Sequence, residues 1–139
     1  MADKTDFGFQ VFAARPKPIE SGKSHEFLAR SDILNGSVHV IAAGGENNLH
    51  AHTGSDEIWF VLEGKAKFYT EEDREVATLQ RHDGLLIPRG APYWFESVGS
   101  EQLVILRFGA KAAGVEDKRI DYTPPSDTIR DLLATLPRD

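Results

Sequence analysis

At 139 residues, 40% of them hydrophobic and 27% charged, the chain is sized for one domain with its own core. A formal net charge of -6 argues against nucleic acid or an anionic membrane surface as the partner. There is no cysteine, which excludes disulfides and thiolate metal sites, so any metal must use His, carboxylate, phenol or backbone oxygen.

The N-terminus, Met1-Ala2-Asp3-Lys4-Thr5-Asp6, is polar and has no signal-peptide core. No apolar run approaches the roughly 20 residues needed to cross a bilayer, so the expected location is cytoplasmic. Short segments rich in Val, Ile, Phe, Tyr and Trp then recur between turn residues. They predict strands at Phe7–Phe12, His25–Arg30, Val38–Ala43, Glu57–Leu62, Lys65–Thr70, Glu75–Leu79, Gly84–Ile87, Tyr93–Ser97 and Gln102–Phe108. Gly44-Gly45, Glu63-Gly64 and Arg89-Gly90 punctuate them. Many short strands at this spacing predict an all-β sandwich or barrel. After Pro124-Pro125, Ser126 or Asp127 can cap a helix over about 126–136. Its residues Ile129, Leu132, Leu133 and Leu136 form a one-sided apolar stripe expected to dock on the barrel or on a second subunit.

The stretch that carries chemistry is GGENNLHAHTGSDEIWFVLEG, from Gly44 to Gly64. His50 and His52 stand two apart on what should be a strand, so their side chains share a face. Thr53-Gly54-Ser55-Asp56 reads as a turn, and Glu57 opens the next strand, where it can return beside the two imidazoles. Two neutral imidazoles and one carboxylate leave coordination positions open, as in catalytic Zn and non-haem Fe(II) centres. Strand parity extends the inward list from Glu57 to Trp59 and Val61, and from Tyr93 to Phe95 and Ser97. Trp59 and Phe95 would then wall a site for a flat substrate. Ile58, Phe60 and Trp94 should face outward, toward another element or a partner subunit. His25, His39 and His82 read as surface or satisfied polar residues. Arg107, with Arg30 and Arg89, is a candidate anchor for an anionic substrate.

Gly44, His50, His52, Glu57 and Gly64 match the first motif of the cupins, G-x5-H-x-H-x4-E-x6-G. HDGLLIPRGAPYWFES, from His82 to Ser97, resembles the second, G-x5-P-x-G-x2-H-x3-N. There Pro88 and Gly90 match, while His82, Tyr93 and Ser97 stand in place of glycine, histidine and asparagine. The resemblance runs from about Ser37 to Gly109. It implies one cupin domain over 1–139, a double-stranded β-helix or jelly-roll barrel with its core at about 37–109 and the short C-terminal helix beyond. It also implies one divalent ion, Fe, Mn, Zn or Ni, held by His50, His52, Glu57 and the residue at the third-histidine position, here Tyr93. Three roles stay open for Tyr93: metal ligand, hydrogen-bond partner of a metal-bound water or substrate, or filler of a barrel without metal. The implied function is a metal-dependent enzyme acting on a small organic molecule, dioxygenase-like (an oxidoreductase) or isomerase/lyase-like. Tyr93 and Glu57 are the candidate catalytic residues, and Trp59, Phe95 and Arg107 the substrate-binding ones. A metal-containing binding or sensor protein without catalysis is the alternative. Partners are a small molecule and a second copy in a homodimer, with no nucleic acid and no membrane.

Overall fold

The computed structural model describes residues 7–123, so the expected helix at about 126–136, with its cap and its apolar stripe, lies outside the described residues. Ten strands follow one another: β1 (Lys23–Arg30), β2 (Leu34–Ile41), β3 (His50–His52), β4 (Ser55–Glu63), β5 (Ala66–Tyr69), β6 (Glu75–Leu79), β7 (Gly84–Ile87), β8 (Trp94–Ser97), β9 (Leu103–Lys111) and β10 (Arg119–Asp121). One 3-10 turn, Glu71–Asp73, is the only helical element among the described residues. None of them forms a helix long and apolar enough to cross a membrane.

The larger sheet has the order β1-β2-β9-β4-β7 and every pairing in it is antiparallel. Facing it, β6-β5-β8 continues through bridges His50–Tyr93 and Glu46–Glu96 to β3, which pairs with β10. Alternation decides what each face does. On β4, Ser55, Glu57, Trp59 and Val61 are buried, while Ile58 is exposed and Phe60 half-buried. The interior is filled by one apolar cluster that includes Trp59, Val61, Phe68, Tyr93, Phe95 and Ile105. A second cluster, Val38, Val40 and Val104, covers the outer face of the larger sheet beneath Ile19, Leu28 and Leu62. β2 therefore buries Val38 and Val40 on its outer face and turns Ser37, His39 and Ile41 inward.

Two expectations about elements are corrected, and one strand is new. Phe7–Phe12 joins no ladder; its apolar residues are exposed, and the Gln10 side chain makes two hydrogen bonds to the Arg30 backbone. The turn before Glu57 is shorter than Thr53–Asp56, because Ser55 and Asp56 already pair with Lys111 and Ala110 in β4. β10 was not foreseen: Arg119-Ile120-Asp121 is short and lies wholly exposed, so no apolar alternation marks it. It pairs with the strand that carries the two histidines, setting Arg119 opposite His52 and Asp121 opposite His50.

Candidate functional site

β3 is held from both sides. On one side, His50 N–H donates to the Tyr93 carbonyl and Tyr93 N–H donates back to His50. On the other, β10 runs beside it, and the amide of Asn48 donates to Asp121 at 2.8 Å and accepts from Arg119 at 2.7 Å. This frame places His50 and His52 with ring centres 5.2 Å apart, and His50 4.5 Å from the ring of Tyr93. β4 brings in Glu57, almost fully buried, with its Oε1 3.4 Å from His52 Nε2.

Four expected residues, His50, His52, Glu57 and Tyr93, thus meet at one end of the barrel interior. Trp59 and Phe95 lie behind them with ring centres 5.0 Å apart, and Phe68 joins the same aromatic wall 4.8 Å from Phe95. Phe68 was not singled out from the sequence, although its place between Lys67 and Tyr69 on an alternating strand gives it inward parity. Arg107 also points in. It sits opposite Trp59 in the β9–β4 register, donates from Nε to Glu57 Oε2, and reaches Asn35 with Nη1. Arg30 and Arg89 belong elsewhere: Arg30 is exposed near Gln10, and Arg89 pairs with Asp56 on the surface. His25 and His82 are exposed as expected. His39 departs from expectation: it is half-buried between His25 and Trp59, with ring centres 5.2 Å from each, and its Nδ1 has no hydrogen-bond partner.

The electrostatics follow from burial. Desolvation, with Arg119 adding to it, pulls the His50 imidazolium pKa down to about 3. Desolvation also lowers His52, outweighing the opposing pull of Glu57. Both rings are neutral at physiological pH, the form that ligates a metal. Burial, reinforced by the Glu57 carboxylate, pushes the Tyr93 phenol well above its ordinary range. Tyr93 therefore keeps its proton and donates it to Glu57, at 3.2 Å from Oε1 and 3.4 Å from Oε2.

His50 Nδ1 lies 2.6 Å from the Asn48 carbonyl, which fixes the proton on Nδ1 and leaves Nε2 with a free lone pair. A carbonyl on the distal nitrogen is the support that metal-bound histidines commonly have. The donor set therefore suits a divalent ion by its chemistry. As the side chains stand, however, no three His, Asp or Glu groups among the described residues close on a common point, and Arg107 and Tyr93 already satisfy Glu57.

A cleft of about 200 Å³ between β5 and β7, lined by Phe68, Leu85, Ile87 and Ala91 among others, reaches Tyr93 from outside the barrel. A larger cleft of about 650 Å³ lies around Gly64, Arg81 and Ser100, at the end of β4 away from Glu57, and has no contact with these groups.

Comparison with known proteins places these features. An uncharacterized protein of Bacillus subtilis (strain 168), YdbB, is 35% identical over 71 residues, 51% of this chain and 62% of that protein. A double-stranded β-helix protein from Klebsiella pneumoniae superposes with a TM-score of 0.65 at 15% identity, covering 78% of this chain and 90% of that one. The DMSP lyase DddQ of Ruegeria pomeroyi superposes with a TM-score of 0.60 at 21% identity, covering 74% and 53%. These two structural likenesses show the double-stranded β-helix fold. The sequence profile of the Cupin domain matches residues 37–108, over half of the chain and the span that holds both motifs. The chain therefore belongs to the cupin family.

Proposed function

We propose that the chain is a metal-dependent enzyme that acts on a small organic molecule at the barrel end formed by β3, β4 and β8. The observation that carries this reading is His50. It is buried, kept neutral, and pinned through Nδ1 by the Asn48 carbonyl so that Nε2 stays free. His50, His52 and Glu57 would hold the ion. Bound there, Zn or Mn would polarise a carbonyl or activate water, and Fe(II) would bring in O2 chemistry.

The chain's own residues do the rest. Tyr93, protonated and beside Glu57, is placed to hold or deliver a proton at its phenol oxygen. Trp59, Phe68 and Phe95 exclude water from one side. The reaction is of the dioxygenase or the isomerase/lyase kind; that DddQ, a lyase, shares the fold supports the second.

The Glu57–Arg107 pair favours a second reading, a binding module that works without metal. A guanidinium on Glu57 supplies the positive charge that an ion would otherwise bring. One experiment separates the two. Protein purified without chelator or affinity tag is offered Fe(II), Mn, Ni and Zn, and bound metal is measured by elemental analysis. The enzyme reading expects about one ion per chain, lost in the His50→Ala/His52→Ala double variant while the melting temperature persists. Retention of none of the four ions by the wild type sinks it and leaves the binding module.

A further inference from the structure

The strand that pairs with the histidines buries no side chain of its own. All three residues of β10 are exposed, so its place in the fold is not explained by the core. What it does supply is polar contact. Arg119, Asp121 and Thr123 stand two apart along this segment, and all three bond to Asn48 or Leu49, immediately before the first histidine. His50 in turn has one ring nitrogen aimed at that corner: its Nδ1 lies 2.6 Å from the Asn48 carbonyl oxygen. A carbonyl can only accept, so the ring carries its proton on Nδ1 while this contact lasts. A neutral imidazole without such a partner exchanges between two tautomers, and in the other one Nε2 is protonated and ligates nothing. Whatever keeps the Asn48 oxygen turned toward the ring therefore decides what His50 can bind.

That oxygen belongs to the peptide between Asn48 and Leu49, and the peptide is tied at both ends. Its carbonyl meets His50, and its N–H, on the opposite edge of the same plane, donates to Thr123 Oγ1 at 3.0 Å. Turning the peptide would break both bonds together. The Asn48 side chain, 4% exposed, fastens the same corner. Its Nδ2 donates to Asp121 Oδ1 at 2.8 Å and to the Thr123 carbonyl at 3.0 Å, and its Oδ1 accepts from Arg119 Nη2 at 2.7 Å. Arg119 Nε closes the ring by donating to Asp121 Oδ1 at 3.0 Å. Only one orientation of the amide satisfies these partners, because the reverse would set its NH2 against a guanidinium and its oxygen against a carboxylate. A buried polar network with every member answered is rigid. The bridge to Tyr93, by comparison, fixes the backbone of His50 and leaves its ring free to turn.

We propose that Arg119, Asp121 and Thr123 are positioning residues for His50: they lock the Asn48–Leu49 peptide, and its carbonyl holds the imidazole in the tautomer whose Nε2 is free to ligate. The lock is a property of the chain with or without an ion; its consequence for metal rests on reading His50 as a ligand. Support of this kind behind a ligating histidine is worth about 10–100-fold in metal affinity. Here it comes from a strand about 70 residues further along the chain, so the site is incomplete until β10 is in place.

The test reads the imidazole nitrogens directly, by long-range 1H–15N NMR of the chelator-treated full chain at neutral pH. In the wild type, His50 should show a protonated Nδ1 and an unprotonated Nε2. Thr123→Val keeps the side chain's shape and removes the acceptor; it should move both His50 nitrogens toward averaged values. Thr123→Ser, which restores the hydroxyl, should return the wild-type pattern. Asp121→Ala should act as Thr123→Val does. His52, on the same strand but not bonded to that carbonyl, should keep its pattern throughout. Zn affinity, read by competition with a chromogenic chelator, should fall about tenfold or more in Thr123→Val and hold in Thr123→Ser. A wild-type His50 protonated on Nε2 would overturn the proposal, and that spectrum needs no variant to fold. So would an unchanged His50 pattern in both Thr123→Val and Asp121→Ala, an equal change at His52, or an averaged tautomer with undiminished Zn affinity. A locked His50 in wild-type protein that retains no metal would sink the enzyme reading alone and leave the lock standing.

Discussion

Glu57 carries the tension of the site. Its carboxylate takes a hydrogen bond from Tyr93, an ion pair from Arg107, and the approach of His52 Nε2 at 3.4 Å. Tyr93 stands where the family's third histidine is expected, and the backbone bridge to His50 sets its ring against the first imidazole. An imidazole there would be a neutral ligand at physiological pH, where the raised phenol is not. We expect Tyr93→His to tighten binding of Zn or Ni about tenfold, read by competition with a chromogenic chelator. Equal or weaker affinity would show that position 93 does not face the ion. These residues were legible in the sequence because two-residue parity and the spacing of the first motif need only local geometry. The inward parity of Lys23 and the unpartnered Nδ1 of His39 were not. A lone His or Lys on a strand looks the same whether its face is wet or walled, and only the long-range pairing of β1 with β2 decides.

Among the elements, the motif glycines are needed for unlike reasons. Gly64 has φ +82°, and a Cβ there would collide with the Gln102 carbonyl oxygen, which ends β4 hard against the start of β9. Gly44 has φ +78° with nothing within 4 Å, so it needs only the left-handed backbone. Gly64→Ala should cost about 2–4 kcal/mol through strain plus collision, against about 1–2 kcal/mol for Gly44→Ala, read from urea midpoints. Similar losses for both would mean that β9 yields at Gln102. The strands from β4 to β9 could be read from alternation and turn residues. β10 could not, because its exposed residues are ordered by pairing and by the Asn48–Arg119–Asp121 hydrogen bonds rather than by burial. Phe7–Phe12 failed in the opposite sense: strand-forming residues without a ladder partner remain irregular chain.

At the scale of the molecule, burial of histidines makes the fold acid-sensitive. His39 is held well below its ordinary pKa by desolvation and by Lys23, and His50 is held at about 3. Both are therefore neutral when folded, and unfolding lets them take up protons near the ordinary value of 6.5. Above that pH the two states bind equal numbers of protons at these sites. As pH falls from about 6.5 toward 3 the unfolded chain gains protons that the folded one refuses, and stability falls. Melting temperatures across this window should drop steadily, and the slope should be shallower in His39→Gln. A flat profile from pH 6.5 to 4 would contradict the burial of both rings. That the fold is an all-β barrel was readable from strand count and turn spacing. That Lys23 would share the inward face of the larger sheet was not, since net charge carries no information about which face each charge takes.

The pairing of β3 with β10 has a further consequence for the order in which the molecule assembles. Asn48 and Asp121 are 73 residues apart, so the strand bearing both histidines cannot be locked until nearly all of the described chain has been made and folded back. Contacts of such separation form late, because closing the loop costs entropy before any pairing repays it. The same ladder is three residues long and exposed on its β10 side, which makes it the natural place for the barrel to open locally. Thr53 N–H, bonded to Lys118, and Tyr122 N–H, bonded to Leu49, should exchange with deuterium as one unit, well ahead of the amides in the β4–β9 ladder. Protection of these two amides equal to that of β4 would mean that the histidine strand is sealed as firmly as the core. Their joint early exchange would make β10 a hinged cover, through which small molecules reach His50 and His52 without disturbing the rest of the barrel.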